Sequence, residues 1–105
     1  MPATTTVHTV HVIATFFAEI GKEDEMESAL REMIEPTRGE PGCIRYDLLR
    51  SLKGANYTEF VFVEEWESEA ALDAHGQTPH LQGLRGRIKH LMGSLPRVIR
   101  YRQVG

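Results

Sequence analysis

Two segments of this chain are apolar on both sides of a strand. Residues 7–18 (VHTVHVIATFFA) are rich in β-branched and aromatic residues, with Val10, Val12, Ala14 and Phe16 on one face and Ile13 and Phe17 on the other. Residues 57–66 (YTEFVFVEEW) carry Phe60 and Phe62 on one face and Val61 and Val63 on the other. An antiparallel sheet with one face in water should alternate apolar and polar residues. These segments do not alternate cleanly, so a sheet built from them needs cover on both faces.

The rest of the chain supplies helices for one face only. Met26, Ala29, Leu30, Met33 and Ile34 recur at helical spacing behind the acidic first turn Glu23-Asp24-Glu25, and Pro36 should end or kink that helix. Residues 43–51 (CIRYDLLRS) predict a second strand, with Ile44, Tyr46 and Leu48 sharing a face. The loop Lys53-Gly54-Ala55-Asn56 makes it a hairpin with the strand over 57–66. Ser68 predicts an N-cap for a short helix, EAALDAH, and Thr78-Pro79 starts another. The stripe Leu81, Leu84, Ile88, Leu91 and Met92 extends that helix to a stop at Gly93 and Pro96, and residues 97–104 (RVIRYRQV) make the last strand. The order β-α-β-β-α-α-β, closed by right-handed crossovers, predicts an α+β fold of ferredoxin-like type, an antiparallel four-stranded sheet with helices on one face. A bare apolar second face is an aggregation liability, and the favoured cover is the same sheet of a second chain related by two-fold symmetry. An irregular monomer with one mixed face is the alternative.

With 105 residues, 41% hydrophobic and 26% charged, the chain is one globular domain spanning 1–105, its core about 8–103. Its net charge of −3 speaks against a general nucleic-acid binder. That average hides a division: all 15 acids lie at or before Asp73, whereas Arg85, Arg87, Lys89, Arg97, Arg100 and Arg102 follow it unopposed. The single cysteine, Cys43, excludes an internal disulfide and a CxxC motif, and is expected to be a small buried apolar residue. No apolar run reaches the roughly 18 residues of a membrane span. The first residues, MPATTTVHTV, lack the basic flank and apolar stretch of a signal peptide. A cytoplasmic protein without membrane partners is the expectation.

No phosphate loop, dinucleotide fingerprint, GxSxG, HExxH or EF-hand spacing occurs, so no cofactor is expected. His75 and His80 are five residues apart across a helix break, with no third ligand evident, and are read as non-metal. His75 is either a general base or a helix-end histidine that caps and packs. Trp66 either walls a pocket and donates its indole N–H or plugs the core. Tyr46 is a pocket hydrogen-bond donor or a satisfied edge tyrosine, and Arg85 anchors an anion or is solvated.

The segments GKEDEMESALREMIEPTRGEPGCIRYDL, EFVFVEEWESEAALDAH and TPHLQGL resemble the antibiotic biosynthesis monooxygenase superfamily, in its small quinol-monooxygenase-like branch, over roughly residues 8–103. The resemblance implies a ferredoxin-like protomer, a dimer whose sheets form an α+β barrel, and a pocket between sheet and helices. It also implies oxygenation of polycyclic phenols or quinols with O₂ as co-substrate and without metal or flavin. Members acting on polyketides place an Asn four residues before the motif tryptophan, a Tyr six after it and an Arg on the last helix. Trp66 and Arg85 match, but Phe62 and Leu72 stand at the other two positions. Haem-degrading relatives use a last-helix histidine, where this chain has Arg85.

The expected function is cofactor-independent oxygenation of a quinol or phenolic ring. His75 takes the proton, Trp66 and Tyr46 wall the ring and donate hydrogen bonds, and Arg85 stabilises the anion. Phe60, Phe62, Leu72 and His80 complete the substrate site. An isomerase or other proton-transfer enzyme on a small metabolite, and a non-catalytic dimer binding an aromatic metabolite, are the alternatives, because fold alone does not choose among them.

Overall fold

The computed structural model describes residues 8–52 and 58–105. Strands β1 (Val10–Ala18), β2 (Cys43–Arg50), β3 (Glu59–Trp66) and β4 (Met92–Tyr101) form one antiparallel sheet in the order β2-β3-β1-β4. Helices α1 (Glu23–Arg31), α2 (Ile34–Arg38), α3 (Glu69–His75) and α4 (Pro79–Arg87) lie on one face. This is the ferredoxin-like arrangement, with one helical segment more than expected. The expected loop Lys53–Asn56 and the start of the chain, residues 1–7, lie outside the described residues.

Local chemistry explains most boundaries. Gly21 has φ +93°, a conformation that favours glycine, and its N–H donates to the Glu23 carboxylate at 2.9 Å as α1 begins. The helix that begins at Glu23 breaks at Glu32 and Met33, within four residues before Pro36, as the kink reading expects. Pro36 itself occupies the first turn of α2, where its missing N–H breaks no intrahelical bond. Ser68 Oγ accepts from Ala71 N at 3.1 Å and Thr78 Oγ1 from Leu81 N at 3.4 Å, so both expected N-caps are formed.

Two expectations fail. The last helix ends at Arg87, and Gly93 and Pro96 lie within β4 instead of ending a helix. Gly93 runs against the β1 backbone, where an added Cβ would stand 3.1 Å from the Ala18 carbonyl oxygen. Pro96, which has no N–H for a ladder, sits where the β1–β4 register shifts. Ile88 and Leu91 are still buried, but from a turn. In β2 a register shift between Cys43 and Arg45 removes Ile44 from the face it was expected to share with Tyr46. Ile44 is 55% exposed, and Cys43 packs on the core in its place.

The helix face of the sheet buries Val12, Ala14, Phe16, Phe60, Phe62 and Trp66 against Met26, Leu30, Met33 and Leu84. Each large side chain buried there contributes about 1.5–3 kcal/mol before entropy is subtracted. The outer face holds Ile13, Phe17, Val61 and Val63 at intermediate burial, flanked by exposed Leu49 and Tyr101. Among the described residues no helix is long and apolar enough to cross a membrane.

Candidate functional site

Toward β4 the helices stop short of sealing the sheet, and a cavity of about 400 Å³ opens there. Its floor is Val12, Ala14, Phe16 and Phe62, and Val98 of β4 is still 61% exposed beside them. The polar groups reaching it are Tyr46, Glu64, His75, Arg85, Lys89 and Arg100. A largely apolar hollow with a few convergent polar groups is the usual form of a small-molecule site.

His75, the last residue of α3, is almost fully buried, and its Nδ1 lies 2.8 Å from Glu40 Oε2. An ionised carboxylate only accepts, so Nδ1 carries the hydrogen and Nε2 keeps its lone pair. No group among the described residues hydrogen-bonds that Nε2, and the residue lines the cavity. Burial lowers the His75 pKa below the ordinary value, opposed by the hydrogen bond and charge of Glu40. The ring is therefore neutral and able to accept a proton. It leans on Trp66 with ring centres 4.7 Å apart and meets Tyr46 at 5.7 Å.

Glu64 is a site residue that the sequence analysis passed over. It sits on β3 in the inward set Phe60, Phe62, Glu64 and Trp66, only 5% exposed. Trp66 Nε1 donates to its Oε1 at 2.9 Å. Burial pushes the Glu64 pKa up to about 7, opposed by that hydrogen bond and aided by the charge of Glu40. The signal was available: a carboxylate at an inward position of an apolar strand. Tyr46, stacked on Phe62 at 4.5 Å, has its hydroxyl pKa raised by burial and then by Glu64, so it stays a donor.

The mouth is basic. Arg85 donates to the Gly76 carbonyl at 3.3 Å, and neither it nor Lys89 meets a carboxylate among the described residues. Arg100 does, pairing with Asp73 at 2.7 Å and Glu69 at 3.3 Å. The charge division of the chain is thus partly closed within the fold, by Arg100 and by the Arg87–Glu32 pair. Among the described residues Arg85 and Lys89 have no carboxylate partner at the cavity.

Of the residues expected to form the site, His75, Tyr46, Arg85, Phe62 and Leu72 line the cavity. Three do not. Phe60 is fully buried with the Arg50 guanidinium 5.2 Å above its ring, so it is core. Trp66 stands behind His75 and Glu64 and positions both without walling the cavity. His80 borders a separate hollow with Glu32 and Arg87.

His75 and His80, read from their spacing as having no third ligand beside them, share a carboxylate in the fold. His80 Nε2 lies 2.6 Å from Glu40 Oε2, the oxygen that meets His75. Gly42 makes this possible: its φ is +85° and an added Cβ would stand 2.6 Å from Ala71 Cβ, so the chain after Glu40 packs tightly on α3.

Comparison with known proteins agrees with this architecture. A protein of Mycobacterium tuberculosis named "Putative monooxygenase Rv0793" is 37% identical over 79% of this chain and 79% of its own length. Its solved structure superposes with a TM-score of 0.84 at 33% identity, covering 92% of this chain and 96% of that one. "Putative monooxygenase YcnE" of Bacillus subtilis is 33% identical over 75% of this chain and 81% of its own. A crystal structure described as an antibiotic biosynthesis monooxygenase matches with a TM-score of 0.81 at 34% identity, over 91% of this chain and 99% of that one. The family profile described as antibiotic biosynthesis monooxygenase matches residues 9–87, and the chain belongs to that family.

Proposed function

We propose that the cavity oxygenates a quinol or phenolic ring with O₂, using no flavin or metal in the reaction. The observation that carries this reading is His75 lining an apolar cavity, its Nδ1 held by Glu40 and its Nε2 without a hydrogen-bond partner among the described residues. The ring lies against Phe62 and Leu72, its hydroxyl toward His75. His75 removes the phenolic proton, and Arg85 and Lys89 favour the resulting anion. The electron-rich anion gives one electron to O₂, and the radical pair combines at a ring carbon bearing hydrogen. Protonation gives a hydroperoxide, and loss of water leaves a carbonyl. One oxygen atom enters the product and the other leaves as water, so no outside reductant is required. The monooxygenase names of two relatives support the reaction class.

A second copy covers the apolar outer face in this reading, burying Ile13, Phe17, Val61 and Val63. Light scattering should give twice 11.9 kDa; a clean 11.9 kDa species would remove the dimer.

One observation favours a second reading. His75 and Glu64 give the cavity two proton-transfer groups, which suits an isomerase on a small metabolite. Oxygen uptake by chelator-treated protein with a panel of hydroquinones and anthrones separates the two, with ¹⁸O₂ tracing the atom. Uptake with one labelled oxygen in the product is expected. Solvent deuterium entering a substrate without uptake points to the isomerase. Quenching of Trp66 fluorescence with neither reaction leaves a binding protein.

A further inference from the structure

We propose that Glu40, His75 and His80 form a binding site for one divalent cation of the zinc class, on the side of His75 away from the cavity. Three elements supply the donors: Glu40 from the segment after α2, His75 from the end of α3 and His80 from the first turn of α4. The turn between the histidines is fixed by Thr78, whose hydroxyl donates to the His75 carbonyl at 2.8 Å and accepts from Leu81 N. Gly42 fixes Glu40 from the other side. The set is therefore organised before any cation arrives.

The donor atoms Glu40 Oε2, His75 Nδ1 and His80 Nε2 all lie within 4.8 Å of one another. Bonds of about 2.0–2.2 Å to a tetrahedral ion would place its corners about 3.3–3.6 Å apart. The observed separations of 2.6 and 2.8 Å are the hydrogen bonds of the metal-free form, so the carboxylate need move by less than about 1 Å. Two neutral imidazoles and one carboxylate suit zinc, cobalt or iron and not calcium or magnesium, which require mostly oxygen. One negative charge in a half-closed site favours a dication, and the 25% exposure of the His80 side chain gives access. Neither outer ring nitrogen meets an acceptor among the described residues, which places the affinity below that of a structural zinc site.

Binding moves hydrogens within the rings. Nδ1 of His75 and Nε2 of His80 become ligands, and the hydrogens they carried pass through water to His75 Nε2 and His80 Nδ1. A bound cation therefore withholds the lone pair that the proposed oxygenation uses. That consequence rests on the proposed reaction; the binding does not.

Calorimetric titration of chelator-treated protein with zinc chloride, paralleled by visible cobalt(II) absorption, tests the site without any substrate. One ion per chain is expected, weakened at least tenfold in Glu40→Gln and in His80→Gln and retained in a variant with both His8 and His11 replaced by Gln. No binding at millimolar zinc overturns the proposal, as does equal binding in both variants. His80→Gln, at a partly exposed side chain, is the decisive variant if Glu40→Gln lowers stability; its circular dichroism should match the parent. Binding without oxygen uptake on any substrate would leave this site standing and remove the reaction. Uptake that zinc suppresses and a chelator restores supports both.

Discussion

His75 divides two regions made from similar groups. Inward, it faces a cavity with Glu64, whose carboxyl has one donor among the described residues, the neutral Trp66 Nε1. Outward, it meets Glu40, whose Oε2 is shared by two imidazoles. The carboxylate with one weak partner in an apolar setting is poised near neutrality, at about 7. The one gripped twice serves instead to hold rings in place. A buried acid is thus reactive or structural according to what its neighbours donate, and the same histidine joins one of each.

The largest expected effect comes from the inner side. His75→Ala should lower oxygen uptake by about 10²–10⁴-fold, the range for a positioned general base. A variant of full activity would move the chemistry away from this ring.

Glu64 gives the next effect, through pH. Its folded pKa of about 7 exceeds its ordinary 4.5, so between those values the folded chain holds a proton that the unfolded chain has released. Stability therefore falls as pH rises from about 4.5 to about 7 and is not regained above it. Glu64→Gln lacks this loss. At pH 8 it should exceed the parent by up to roughly 3 kcal/mol, with the two nearly equal at pH 4. Parallel denaturant midpoints across this range would mean that Glu64 is fully compensated.

Arg85→Gln should reduce kcat/KM by about tenfold or more for a phenol that reacts as its anion, the scale of a lost charged hydrogen bond. An unchanged value would place Arg85 among the solvated bases. The smallest effect is structural. Ser68→Ala removes the cap of the helix that ends in His75 and should cost about 1 kcal/mol, read as a lower melting temperature with little loss of uptake. A large loss of uptake at unchanged stability would mean that the cap sets the ring's position.

Much of the fold was legible in local pattern. The β-branched and aromatic runs in 7–18 and 57–66, the helical stripe from Met26 and the caps at Ser68 and Thr78 each decide structure within a few residues. Gly93 and Pro96 misled because their usual role as helix stops is a local rule, whereas here the neighbouring strand decides. Of the residues that line the cavity, Tyr46, His75 and Arg85 were singled out as residue types, and Leu72 only through the resemblance to the family. Glu64 was legible from its place between Phe62 and Trp66. Glu40 was not, because it stands 35 residues from His75 and 40 from His80, and only the tertiary fold brings them together.

The most direct measurement is a crystal of the protein soaked with a hydroquinone under anaerobic conditions. The expected density lies over Phe62 and Leu72, with a phenolic oxygen within hydrogen-bond reach of His75 Nε2 and the Arg85 guanidinium at the mouth. A ring bound on the outer face of the sheet, or in the cavity with its oxygen turned from His75, would contradict the assignment of His75 as the proton acceptor.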